Sequence, residues 1–110
     1  MRLYQIPLPI LDNAGTEYTE LARKNFLSVV LHHAGGYTLL PEAEGAWRDN
    51  ETGKTYYDAV TPVQFALDDG AWKGRVILAA FHQCFPDQLC AMVADLGEVT
   101  FHTLKQEEHA

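Results

Sequence analysis

Thr16-Glu-Tyr-Thr-Glu-Leu-Ala-Arg-Lys-Asn-Phe-Leu-Ser-Val-Val-Leu-His-His-Ala-Gly-Gly36 is the stretch on which the fold turns. Tyr18, Ala22, Phe26, Val29, Val30 and His33 recur at the spacing that gathers side chains on one face of a helix. Thr16 is the expected N-cap, with Glu17 and Glu20 in the first turns, where the helix dipole favours acids. Glu20 and Lys24 make an outward i,i+4 pair, and Gly35-Gly36 ends the helix near Ala34.

Upstream, Leu3 to Leu11 alternates, with Tyr4, Ile6, Leu8 and Ile10 on one face of a strand. Pro7 and Pro9 cannot donate to a ladder, so pairing there is one-sided or ends early. Asp12-Asn13-Ala14-Gly15 is a turn. Downstream, Tyr37 to Ala43 reads as a second strand, Glu44 to Lys54 as a long exposed hairpin loop, and Thr55 to Leu67 as a third strand. Asp68-Asp69-Gly70 caps a second helix from Ala71 to about Phe85, with Trp72, Val76, Ala79, Ala80 and Gln83 on its stripe, and Pro86 stops it. Gln88 to Val93 and Glu98 to Leu104 read as two short strands joined by Ala94 to Gly97, and Lys105 to Ala110 as a polar tail.

The order β-α-β-β-α-β, with an extra C-terminal strand, is the split βαβ or ferredoxin-like plan of an α+β sandwich: an antiparallel sheet with two helices on one face. A length of 110 residues suits one domain, expected over residues 1–104 with 105–110 as a tail. The sheet face without a helix is the expected subunit interface, because an uncovered apolar sheet is costly in water.

Bulk properties narrow the function. Apolar residues are 47% and charged ones 21%, the composition of a chain that folds. Fifteen acidic against eight basic residues give a net charge of −7, and no basic cluster exceeds Arg23-Lys24. Such a surface repels phosphate backbones, which argues against nucleic acid as a partner. The longest apolar run, Phe26 to Leu31, includes Ser28 and falls far short of the ~20 residues that span a bilayer. The N-terminus has no apolar h-region and no cleavage site, so the chain reads as cytoplasmic, with Cys84 and Cys90 as thiols.

Candidate chemistry concentrates between Glu42 and Asp58. Glu44, Trp47, Arg48, Tyr56, Tyr57 and Asp58 bring aromatic faces, one guanidinium and carboxylates to one loop region, which suits a small cationic or nucleotide-like ligand. The plainer alternative is a solvated loop with Trp47 folded back on the sheet. His32 and His33 suit the C-terminal turn of a helix, and adjacent helical residues point about 100° apart, so they are poorly placed to share a metal. His82, Cys84 and Cys90 form H-x-C-x5-C without a C-x2-C knuckle, a pattern better read as two thiols beside a histidine. No GxGxxG, P-loop, GxSxG or HExxH is present, and no cofactor or metal is expected.

Gly36-Tyr-Thr-Leu-Leu-Pro-Glu-Ala-Glu-Gly-Ala-Trp-Arg-Asp49, followed by a variable loop, a strand, a helix and Asp87-Gln-Leu-Cys-Ala-Met-Val93, resembles the nitrogen-regulatory PII-like superfamily. The similarity spans residues 36 to 104 and extends to divergent members that include phage-type S-adenosylmethionine lyases. It implies a homotrimer whose sheets pack together, with ligand clefts between subunits bordered by the long loop. In the lyase-like branch a carboxylate after that loop matters; Asp58, preceded by Tyr57, is the matching position, where that branch tends to carry Glu. The basic residues that PII proteins set against nucleotide phosphates have no counterpart here.

Three functions are therefore carried forward. The first is an oligomeric PII-like binder of a small molecule through Glu44, Trp47, Arg48 and Tyr56. The second is a metal-free lyase in which Asp58 and Tyr57 act on S-adenosylmethionine; attack by the substrate's own carboxylate needs only a dry cleft that holds a folded conformer. The third is a phage or plasmid protein whose acidic surface engages a host protein.

Overall fold

A computed structural model describes residues 1–68, 72–88 and 90–104, with no account of the side chains of residues 72 and 73. The elements run β1 (Arg2–Pro9), α1 (Glu20–Ala34), β2 (Thr38–Leu39), β3 (Ala43–Arg48), β4 (Thr55–Leu67), α2 (Trp72–Cys84) and β5 (Ala94–Glu98). The sheet order is β2-β4-β1-β5, with β3 also on β4, and every pairing is antiparallel. β1 and β2 are thus parallel to each other with β4 between them, as are β4 and β5 with β1 between. This is the α+β, ferredoxin-like sandwich expected from the element order. Among the described residues no helix is long and apolar enough to cross a membrane.

Register fixes the two faces. β1 and β4 pair Tyr4 with Phe65, Ile6 with Val63 and Leu8 with Thr61, and these are the buried or half-buried positions beneath the helices. Phe26, Leu27 and Val30 of α1 and Ile77, Ala80 and Phe81 of α2 close over them. Phe85 packs edge-on to Tyr18 at 4.9 Å and lies 5.1 Å from Phe81 and 6.0 Å from Phe26. Each fully buried ring is worth roughly 1.5–3 kcal/mol of apolar transfer, so this aromatic knot anchors both helices to the sheet.

α1 starts one turn later than expected. Thr16 is spent in a tight loop, where Asp12 Oδ1 accepts from the Ala14 and Thr16 N–H groups and the Asp12 N–H donates to the Thr16 carbonyl. Thr19 caps instead, its Oγ1 accepting from the Ala22 N–H at 3.1 Å. Gly35 ends the helix at φ 79°, a left-handed conformation that spares it a Cβ clash.

Three expectations are corrected. The second strand is split: Pro41 has no N–H for a ladder, and beyond it β3 runs from Ala43 to Arg48 through what the sequence suggested was loop. The stripe of α2 is rotated, with Ile77, Ala80 and Phe81 buried and Val76, Ala79 and Gln83 exposed. Ala71 and the side chain of Trp72 lie outside the described residues, as do residues 69–70 of the expected helix cap, Leu89, and the 105–110 tail. The C-terminal strand is Ala94–Glu98, the segment expected to be a link. Its partner explains this: β1 begins at Arg2, which pairs Glu98, and one last bond from the Val99 N–H to the Met1 carbonyl uses up the start of the chain. Gln88 is held at the exit of α2, its N–H on the Phe85 carbonyl and its amide on the Tyr18 hydroxyl, so it starts no strand.

Candidate functional site

β4 is 13 residues long, about 40 Å at a strand's rise, yet β1 pairs with it only as far as Val60. The Ile10 N–H still reaches the Ala59 carbonyl at 3.1 Å, but Thr55 to Asp58 pairs with β3 alone, and the two strands project from the sheet as a ribbon. Both faces of such a ribbon meet solvent, which is why its sequence is polar and reads as loop.

Its tip is ordered by its own hydrogen bonds. The Asp49 carboxylate accepts from the Glu51 N–H at 2.8 Å, the Gly53 N–H donates to the Asp49 carbonyl at 2.7 Å, and the Asp49 N–H reaches the Lys54 carbonyl at 2.9 Å. Gly53 at φ 74° makes the reversal possible, and the Arg48 guanidinium folds back to within 3.5 Å of where a Cβ on Gly53 would lie.

Alternation sorts the sequence-derived residues onto two faces. Trp47 pairs with Tyr56, and Gly45 with Asp58, on the face that continues the helix-free side of the sheet. There the two rings stack at 4.6 Å and 17°, and the Trp47 Nε1–H donates to Asp58 Oδ2 at 3.1 Å. Lys54 Nζ sits 4.9 Å from the centre of the Tyr56 ring, a cation–π contact that the sequence reading missed, although residues 54, 56 and 58 share a face by simple alternation. Gly45, opposite Asp58, leaves room beside the stack, since a Cβ there would come no closer than 4.0 Å to the Asp58 carbonyl.

Glu44, Arg48 and Tyr57 occupy the opposite face. Trp47 is 53% exposed and Tyr57 70%, so neither is folded into the core. Trp47, Tyr56 and Asp58 therefore form one cluster, while Tyr57 and Asp58, neighbours in sequence, point away from each other. What the cluster offers chemically is a flat π surface with a carboxylate at its edge.

Elsewhere the reactive side chains stand apart. His32 and His33 meet edge-on at 4.9 Å, Cys84 is half-buried and Cys90 exposed, and both thiols are free. Burial pushes the Cys84 thiol up from its usual range. Among the described residues no three or more His, Cys, Asp or Glu side chains gather closely enough to hold a metal ion.

No family model and no curated protein matches the chain. Among solved structures it is similar to the divalent cation tolerance protein (Cut A1) from Thermus thermophilus, at a TM-score of 0.66 and 10% identity, over 92% of this chain and 86% of that one. At that identity the likeness shows a shared fold.

Proposed function

We propose that the chain is a small-molecule-binding homo-oligomer of PII-like build, a trimer in which helix-free sheet faces pack together and the projecting ribbons border ligand sites between copies. The observation that carries this reading is the chemistry of that face. Leu3, Gln5, Pro7, Val60, Gln64 and Ala66 lie on it, and among the described residues of the five strands it carries no charge until Asp58 on the ribbon. In a chain that is 21% charged, an uncharged sheet surface running into an aromatic pair supports burial against another copy.

The ligand that suits the ribbon has a flat or cationic group. Trp47 and Tyr56 supply the stacking surface and Asp58 the opposing charge, while Arg48 and Glu44, on the other ribbon face, meet a ligand only if a neighbouring copy brings that face to the same cleft. A thermal-shift screen with adenine nucleotides and S-adenosylmethionine tests the reading: a ligand raises Tm in the parent, and Trp47→Ala removes the rise while leaving the unliganded Tm within a few degrees. A large fall in unliganded Tm would make Trp47 a structural residue instead. Turnover of S-adenosylmethionine that disappears in Asp58→Asn would replace binding with the lyase reading. A strictly monomeric chain with no ligand-induced shift would leave neither.

A further inference from the structure

A cleft of about 310 Å³ opens between α2 and the helix-side face of β1 and β4, on the other side of the sheet from the Trp47–Tyr56 stack. Its walls are Tyr4, Ile6, Phe65, Leu67, Ile77, Leu78 and Val93. Four of these, Ile6, Phe65, Leu67 and Ile77, belong to the buried core, so the cavity is backed by side chains already fixed by packing.

Two residues of opposite charge line the same cleft: Asp68, just past the end of β4, and Arg75, near the start of α2. Both residues are exposed, and among the described residues neither is held in an ion pair, with the other or with any third group. Gly74 adds an independent observation. Glycine in a helix is less favourable than alanine, and a Cβ at 74 would meet no described atom within 4 Å. Among the described residues packing does not demand the glycine. Its position in the cleft wall accounts for it, because any side chain there takes up ligand space.

We propose that this cleft binds a free α-amino acid with an apolar side chain of about the size of leucine or phenylalanine. The side chain fills the apolar walls, Arg75 takes the carboxylate and Asp68 the ammonium. A zwitterionic head on a short apolar body is the ligand that uses both charged residues and the apolar walls together. A simple carboxylic acid would leave its charge facing Asp68, and a simple amine would face Arg75. The volume lies at the small end of the ~300–1,000 Å³ typical of ligand pockets, which fits a ligand this small and not a nucleotide. The inference rests on different residues from the ribbon site and stands independently of it.

Calorimetric titration of the full chain with L-phenylalanine, 3-phenylpropionate and phenethylamine tests it. L-Phenylalanine binds the tightest of the three. Arg75→Gln weakens L-phenylalanine and 3-phenylpropionate at least about tenfold and leaves phenethylamine little changed, the loss expected when a charge-assisted contact is removed. Asp68→Asn does the converse. Gly74→Leu abolishes binding of all three; should that variant fail to fold, the two exposed-charge variants still decide the question. Absence of binding for all three ligands at millimolar concentration would overturn the proposal. So would L-phenylalanine binding that is indifferent to Arg75→Gln, or 3-phenylpropionate binding as tightly as the amino acid.

Discussion

Asp95 and Asp58 are both exposed carboxylates, and their neighbours give them different work. The single Arg2 Nε–H is shared between the two Asp95 carboxylate oxygens, at 3.1 and 2.9 Å, and Oδ1 also accepts from the Gly97 N–H at 3.0 Å. The Arg2 hydrogen bond, followed by the Gly97 N–H, holds its carboxyl below the usual carboxylate range. Because the folded-state value is depressed, the associated stability is fully present above the unfolded value of about 4 and is lost as pH falls through the folded value. Asp95→Asn is therefore expected to flatten the acid limb of a Tm-versus-pH curve below about pH 4, and to change little at neutral pH, where exposed pairs contribute modestly. Asp58 is instead bonded by an indole, which orients it and brings no opposite charge beside it. Among the nucleophiles, the same contrast of surroundings separates Cys90 from Cys84. Exposed Cys90 should react first with a thiol reagent, and Cys84, half-buried with a raised pKa, should lag at neutral pH and catch up as pH rises or the fold opens. Equal rates for both thiols in the native protein would contradict this placement.

At the scale of elements, the start of α1 shows what a sequence reveals and what it conceals. Thr16 reads as the cap, but the Asp12 loop takes it for itself, and Thr19, three residues on, caps instead. Thr19→Ala should cost about 1 kcal/mol by denaturant unfolding, and Thr16→Ala much less. The fold plan was legible because β1, α1 and β4 carry strong periodicity and because the order of elements restricts the topologies available. The phase of α2 was not legible: Val76-Ile77 and Ala79-Ala80-Phe81 are apolar on adjacent faces, and the turn of about 100° between those faces is settled only by Phe26 and Phe85 across the core. β5 was hidden for a related reason, since Asp and Gly are poor strand formers on their own and are held here by Arg2 and by pairing with β1. For the candidate site, the residue types were visible but their sorting was not. Once β3 is recognised as a strand, alternation alone joins Trp47, Tyr56 and Asp58 and separates Tyr57. The Asp68–Arg75 cleft drew no attention in the sequence because its walls come from β1, β4, α2 and the segment before β5.

For the molecule as a whole, the helix-free side is where the proposed association is decided. The Gln5 and Gln64 side chains are joined across it by a 2.9 Å hydrogen bond and are half-buried in the single chain. Gln64→Glu should be tolerated by an isolated chain, where water reaches the new carboxylate. In a packed trimer it would bury several like charges near one another, at a cost of several kcal/mol. The expected outcome is a shift of the assembly to monomers, seen as a fall in mass by light scattering; an unchanged mass would remove that face from the interface. The choice of absolute mass matters because of the ribbon. The chain measures 61 × 28 × 26 Å with a radius of gyration of 16.3 Å, whereas a spherical fold of this length has about 13 Å. A particle so drawn out meets more hydrodynamic drag than its weight warrants. On a sizing column calibrated with rounded standards, one copy would elute early and pass for something heavier.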